Sequence, residues 1–332
     1  RWSSFHALDA KNLERVREIA ENDSGKIGLL YKIAMDADKS NNEKIKTVKS
    51  YLDEIDNIKT KDDIASYLGK MHTYSSAFWG DGALIDDKDS THYIFVIGQS
   101  GIGLSRDYYF DDDAKSKQVR KKYKQYIKDI MNNFDVNVDV EKLYALEERM
   151  AKSFYTKEAL RDPHANYHKM SRDEFMRDFS GFDWKKYFNV RGADAAEFIN
   201  VAQPDAIHES VKIINDTDLD LIKSYLKYRV ILAADTFLDD KTYDISFDFF
   251  NRTMSGQKEP KPRWKRVVGI LDGTLGEEIR HLYVKKYFPD TAKKRMQELV
   301  ENLRRAYAMR IEKLDWMSDD TRARAIEKLN SF

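Results

Sequence analysis

Residues 114–134 read AKSKQVRKKYKQYIKDIMNNF, with Val119, Tyr123, Tyr126, Ile127, Ile130, Met131 and Phe134 at three- and four-residue steps. Steps of that length put these side chains on one stripe of an α-helix, whereas a half-buried strand needs strict alternation. The lysines and arginines between them take the opposite, solvated face. Leu143, Leu146, Met150 and Phe154 repeat the pattern. The same reading predicts helices near residues 9–22, 26–38, 42–56, 61–72, 217–238, 264–287, 291–314 and 319–330.

Several helix starts carry groups that satisfy the free N–H donors of a first turn. Ser171 with Glu174 reads as a capping box, Ser318 precedes Asp319 and Asp320, and Asp111, Asp112 and Asp113 precede the basic helix. Strand signals are few. His92–Ile97 is rich in β-branched and aromatic residues and ends at Gly98, and Glu197–Ala202 is a weaker case. The stretch 181–200 and the segment Gln257–Pro262 read as loops or boundaries. The expected fold is mainly α, with a few short strands.

Lys+Arg and Asp+Glu both number 57, so the formal charge is zero. Nucleic acid and anionic membrane are usually met by a basic excess, so neither is expected as the main partner. The chain has no cysteine, which excludes disulfides, thiolate zinc sites and a cysteine nucleophile. No apolar run approaches the roughly 20 residues that span a bilayer. The sequence opens on Arg1-Trp2 without Met, so any signal peptide or anchor would stand before Arg1.

A helical zinc-peptidase site needs two histidines one turn apart and a Glu directly after the first. Among the seven histidines only His164 and His168 have that spacing, and Ala165 follows His164. Asp162-Pro163 predicts a helix start there, which would put both rings on one face. A pair of surface or packing histidines is the expected role. His208-Glu209 begins the motif but has no second ligand. Gly98, Gly101 and Gly103 lack the Lys-Ser/Thr of a phosphate loop and are expected to form a structural turn. No Gly-x-Ser-x-Gly elbow occurs. The basic residues from Lys115 to Lys124 read as a solvated helix face. By chemistry alone this is a helical protein without a visible active site.

Three ordered blocks alter that reading. Gly101-Ile-Gly-Leu-Ser-Arg-Asp-Tyr-Tyr109 resembles the G-L-x-x-R-D-Y-Y element of the neprilysin and endothelin-converting-enzyme family of zinc endopeptidases. Pro262-Arg-Trp-Lys-Arg266, continuing through Leu275-Gly276, Leu282-Tyr283-Val284 and Tyr287-Phe288, is similar to a second family helix. Leu314-Asp-Trp-Met-Ser318, followed by Thr321, Ala323, Ala325 and Lys328, resembles a third. Arg161-Asp162-Pro163 with Tyr167, Lys169 and Met170 agrees more weakly and recasts the histidine pair as part of a loop-to-helix element. The resemblance covers residues 1–332 and is loosest from 40 to 90 and from 180 to 255.

The resemblance implies the N-terminal, multi-helix lobe of a two-lobed gluzincin peptidase, over residues 1–332. This lobe would act as lid and chamber wall, admitting oligopeptides rather than folded proteins. It implies zinc in the intact enzyme, held by H-E-x-x-H and a downstream Glu in a catalytic part beyond Phe332. The chain alone, having no catalytic or metal residue, is then expected to be inactive. Its partners would be peptide substrates and the enzyme's own C-terminal catalytic domain. Arg1-Trp2-x-x-Phe5 resembles an element that lies across the family's cleft. By that likeness Arg1 would pair the carboxylate on the C-terminal side of the substrate, and Phe5 would line the pocket after the scissile bond. The guanidinium fork suits a carboxylate through two parallel hydrogen bonds. Asp9 stands where some relatives carry a second arginine. The absence of cysteine departs from disulfide-rich animal members and points to a bacterial relative, in the cell envelope, periplasm or secreted ahead of the cytoplasm. The alternative is a stand-alone helical module that binds peptides without cutting them.

Overall fold

A computed structural model of the chain describes residues 2–332, and the side chains of these except residues 2, 44 and 45. The chain opens with α1 (Trp2–Asn22), α2 (Lys26–Met35), α3 (Ala37–Asp56) and α4 (Asp62–Met71). Strands β1 (Trp79–Asp86) and β2 (Asp89–Gln99) form a hairpin, followed by α5 (Arg106–Phe110), α6 (Ala114–Asn132) and α7 (Val140–Ser153). Then come β3 (Lys169–Ser171), α8 (Arg172–Asp178), α9 (Trp184–Arg191), β4 (Phe198–Val201), α10 (Pro204–Asp216), α11 (Leu219–Ala234) and α12 (Asp240–Ser246). A π-helical turn, Phe247–Thr253, precedes α13 (Arg263–Tyr287), α14 (Asp290–Glu312) and α15 (Asp319–Asn330).

These elements pack as two compact units, Arg1–Met35 with Lys261–Phe332, and Asp36–Pro260. The break after Pro260 falls inside the Gln257–Pro262 segment read as a boundary. The other expected boundary does not hold. Residues 181–200 contain α9, started by the Asp183 carboxylate on the Lys186 N–H and ended by Gly192 at φ +75°. Trp184, Tyr187 and Phe188 of that helix are buried.

In the larger unit the sheet runs β1-β2-β4-β3, with β1 and β3 antiparallel to their neighbours and β4 parallel to β2. One core gathers round Trp79, whose ring lies 4.8 Å from Trp184, 5.2 Å from Phe182 and 5.6 Å from Tyr187. A second joins the 114–134 stripe to Leu143, Tyr228 and Phe249. The expected caps form: Ser171 and Glu174 make a reciprocal box, and Asp113 accepts from the Lys115 and Ser116 N–H groups. Ser318 caps α15 through the Thr321 N–H.

The glycine stretch after β2 is a structural turn. Gly101 sits at φ +101°, where a Cβ would stand 2.6 Å from the Phe78 nitrogen and 2.5 Å from the Tyr225 hydroxyl. That hydroxyl donates to the Gly101 carbonyl at 2.7 Å and accepts from the Phe78 N–H at 3.1 Å. Gly101→Ala is therefore expected to cost about 2–3 kcal/mol, from a disfavoured backbone angle and a broken buried contact. Urea unfolding of the variant checks it; a change below about 0.5 kcal/mol contradicts the account.

The smaller unit builds its core from Ala20, Ile27, Tyr31, Val267, Leu271 and Ile279. It thus rests on the second half of α1, on α2 and on the first two thirds of α13. Among the described residues, α14 and α15 contribute no buried side chain.

Candidate functional site

Arg1, one of the two residues assigned to substrate, lies outside the described residues. Phe5 is on the first turns of α1, 70% exposed, with Leu8 one turn on at 52%. The placement follows from how α1 is held. From Asn12 onward its polar side chains are gripped by α13. The Tyr283 hydroxyl donates to Asn12 Oδ1 at 2.8 Å and accepts from Arg15 Nη1 at 3.0 Å. The Arg15 guanidinium also stacks 4.6 Å from the Tyr287 ring, and that of Arg17 5.0 Å from Trp264. Glu18 accepts from Lys286 at 2.6 Å and from the Tyr287 hydroxyl, and these two bonds hold its carboxyl below the usual range. Residues 3–11 have no such clamp, and every one is exposed. A helix fixed at one end therefore presents Phe5 and Leu8 on a free face.

With so little buried at Phe5, Phe5→Ala is expected to leave the stability of this chain within about 0.5 kcal/mol. A thermal melt settles it, and a larger loss would assign Phe5 to packing.

In the larger unit, the Arg106–Tyr109 block organises a buried carboxylate. Arg106 Nε donates to the Phe154 carbonyl at 2.9 Å, and Lys157 meets Asp107 at 2.7 Å. The Tyr109 hydroxyl donates to Glu147 Oε2 at 2.9 Å, and that of Tyr123 to the same oxygen at 2.6 Å. Tyr228 stands 3.0 Å from the Tyr123 hydroxyl. Glu147 is 0% exposed. Burial pushes its carboxyl up to about 7, against the opposing pull of Tyr123, the Arg229 charge and Tyr109. Nothing in the count of 57 acids singles out Glu147. The signal was present, because it falls between Leu143 and Met150 in the middle of an apolar stripe.

A second network ties α4, β1 and α9 together. Asp81, with a side chain 0% exposed, accepts from Arg191 Nε at 3.0 Å and from the Tyr187 hydroxyl. With its proton committed to Asp81, the Tyr187 oxygen accepts from Trp79 Nε1 at 3.1 Å and from His72 Nδ1 at 2.7 Å. His72 Nε2 lies 3.1 Å from the Ala77 carbonyl and 3.3 Å from the Ala77 N–H. Burial would raise the Asp81 carboxyl, but His72 at 3.8 Å, Tyr187 and Arg191 outweigh it and hold it below 3.8. Sequence spacing could not find this group, whose members lie up to 119 positions apart in the chain, from His72 to Arg191.

The His164 segment is a turn, not the helix start expected at Asp162-Pro163. Asp162 Oδ1 caps the His164 N–H at 2.9 Å, and His168 Nδ1 contacts the Val201 carbonyl at 2.9 Å just before β3 begins. The turn instead positions Tyr167 and Lys169, each 2.8 Å from Asp86 at the end of β1. Lys169, then the Lys88 N–H and Tyr167, draw the Asp86 carboxyl down to about 2. His208 stacks on Phe179 at 4.2 Å, and Glu209 pairs with Arg149 at 2.6 Å. Among the described residues no three His, Cys, Asp or Glu side chains gather in a way that could hold a metal ion. The donors among the described residues therefore do not form a site for a zinc ion. No helix of the described residues is long and apolar enough to cross a membrane.

The family model described as peptidase family M13 matches residues 1–332. Endothelin-converting enzyme 1 of Bos taurus is 24% identical, over 100% of this chain and 47% of its own length. The neutral endopeptidase of Lactobacillus helveticus is 25% identical, over 97% of this chain and 50% of its own. Among solved structures, Mycobacterium tuberculosis zinc metalloprotease Zmp1 in complex with an inhibitor superposes with a TM-score of 0.90 at 27% identity. That match covers 99% of this chain and 52% of Zmp1. PepO from Lactobacillus rhamnosis shares the fold, with a TM-score of 0.80 at 18% identity over 99% of this chain and 54% of PepO. The chain spans about half the length of the curated relatives it matches.

Proposed function

Because the chain belongs to peptidase family M13, we propose that it is the N-terminal half of a zinc metalloendopeptidase that hydrolyses peptide bonds in oligopeptides. The observation that carries this is the family match along all of residues 1–332, supported by the 0.90 superposition on a zinc metalloprotease at 27% identity. Within that reading, residues 1–332 form the lid and chamber wall over the active site. The zinc ligands and the general base would belong to the enzyme's own C-terminal catalytic domain. Zinc, when bound there, would supply an activated water.

The chemistry left to this chain is to hold the peptide. Arg1 would pair a substrate carboxylate through its two-pronged guanidinium. Phe5, presented by the clamped helix, would offer an aromatic wall to the residue after the scissile bond. The exposed Asp9, one turn on from Phe5, stands where some relatives carry a second arginine, so Arg1 would hold that carboxylate without a second guanidinium and less tightly. A bacterial cell-envelope or secreted location accords with the cysteine-free composition.

Zinc analysis and peptide turnover test the division of labour. This chain alone should bind no stoichiometric zinc and cut no peptide, whereas a polypeptide carrying H-E-x-x-H beyond Phe332 should do both. Tight zinc with hydrolysis in residues 1–332 alone would overturn it. In the zinc-bearing polypeptide, Phe5→Ala should raise KM about tenfold, in line with loss of one buried aromatic contact.

A further inference from the structure

The hairpin of β1 and β2 runs on past the point where the rest of the sheet stops. The β2–β4 ladder begins at Phe95 opposite Ile199, whereas β2 itself starts six residues earlier, at Asp89. The Ile97 carbonyl accepts from the Ala202 N–H at 2.8 Å, so Ile97 turns its backbone groups toward β4. Backbone direction alternates along a strand, so Phe95, Tyr93 and Thr91 turn theirs to the same side. The Thr91 N–H is taken by Asp89 Oδ1 at 3.1 Å. Among the described residues, the Thr91 carbonyl and both backbone groups of Tyr93 then lie along an edge that no strand covers. A groove of about 750 Å³ opens there, lined by Tyr93 and Phe95 of β2 and by Ala193, Ala196 and Phe198 on the approach to β4. Ile85 and Tyr93 stand opposite each other in the hairpin, 55% and 76% exposed. An uncovered strand edge beside large apolar side chains is a template for a further strand.

We propose that the edge of β2 from Thr91 to Tyr93 takes an extended, lysine- or arginine-bearing segment of a partner protein as an added strand. Charge selects the occupant. The two cations that line the groove are already engaged, Lys169 with Asp86 at 2.8 Å and Arg191 with Asp81 at 3.0 Å. Glu197, also on the groove, meets no cation among the described residues, and Asp89 meets only the His92 imidazole, at 2.8 Å. What remains on the rim is acidic, and a basic side chain is its complement. Main-chain hydrogen bonds to Thr91 and Tyr93 would hold the segment in register, with alternate side chains resting on Ile85 and Tyr93. The proposal goes beyond the peptidase reading and does not depend on it, since it needs neither zinc nor any contact of α1.

Fluorescence anisotropy of a labelled acetyl-Lys-Val-Lys-Val-Lys-amide peptide, titrated with residues 1–332, tests this. The peptide should bind, and its analogue with Glu in place of every Lys should bind at least about tenfold more weakly. A third peptide, N-methylated at every residue, keeps the side chains and loses the donors; it too should bind at least about tenfold more weakly. In the protein, Glu197→Lys changes an exposed residue just before β4 and should weaken the first peptide at least about fivefold without moving the thermal melt. The Tyr93 amide should exchange more slowly in the complex. No binding of the first peptide, or equal binding of all three, overturns the proposal. Binding that survives Glu197→Lys and is lost in Phe5→Ala also overturns it, because the peptide then sits on α1. Absence of zinc or hydrolysis in a longer polypeptide would overturn the peptidase reading and leave this one standing.

Discussion

Asp81→Ala should destabilise the larger unit by about 3–5 kcal/mol, the range for removing one partner of a buried ion pair. Three groups converge on that carboxylate: Arg191 at 3.0 Å, the Tyr187 hydroxyl, and His72 at 3.8 Å. Its removal leaves a guanidinium with 23% exposure and a buried phenol without their acceptor, next to the packed Trp79 ring. Asp81→Asn keeps the shape and one acceptor and should cost less, about 2 kcal/mol. The pH dependence has a definite sign. The Asp81 carboxyl is held below 3.8 in the folded chain, so its contribution is present above that value and is lost as the pH falls through the lower, folded value. Urea titrations of wild type and both variants at about pH 7 and about pH 3 measure this. The wild-type advantage should shrink at the acid end, and an Asp81→Ala penalty below about 1 kcal/mol at neutral pH would show the network to be surplus.

What could be read from residues alone followed from local regularity. The 114–134 stripe was legible because burying one face of a helix imposes a period that the sequence repeats, and each residue of the stripe is buried as expected. Caps were legible for a similar reason, since Ser171 and Glu174 need only each other. Strands β2 and β4 lie within a residue or a few of the two β-rich stretches. β1 was missed because Gly80, Asp81 and Gly82 are poor strand formers, and its pairing with β2 is imposed by tertiary packing. α9 reads as a loop because its eight residues between Gly181 and Gly192 give too little period to recognise. The Phe5 assignment came from family likeness; the structure adds the clamp from Asn12 to Glu18 that leaves Phe5 free. The partners of Asp81 and Glu147 arrive from distant parts of the chain. The place of Glu147 between Leu143 and Met150 marks it as buried, but no local rule names its partners, and Asp81 carries no such mark.

Glu147 carries the opposite pH signature, and it gives the second large effect. A carboxyl raised from 4.5 to about 7 in the folded chain corresponds to about 3 kcal/mol of stability tied to its neutral form. That contribution is complete below 4.5, declines as the pH rises through about 7, and is gone above it. The larger unit should therefore be less stable at about pH 9 than at about pH 5 by an amount of that order. Gln is the natural probe, since its carbonyl can still accept from the Tyr109 and Tyr123 hydroxyls while its amide imitates the protonated acid. Glu147→Gln should match wild type at about pH 5 and exceed it by about 2–3 kcal/mol at about pH 9, where the wild-type charge is buried against two phenols. Glu147→Ala should lose about 3 kcal/mol at about pH 5, because both hydroxyls lose their acceptor and a cavity opens between α6 and α7, and should lie close to wild type at about pH 9, where it is spared the buried charge. Denaturant midpoints across the pH range distinguish the cases. If Glu147→Gln is weaker than wild type at about pH 9, the ionised carboxylate is the stabilising form and the Arg229 charge, not burial, governs the site.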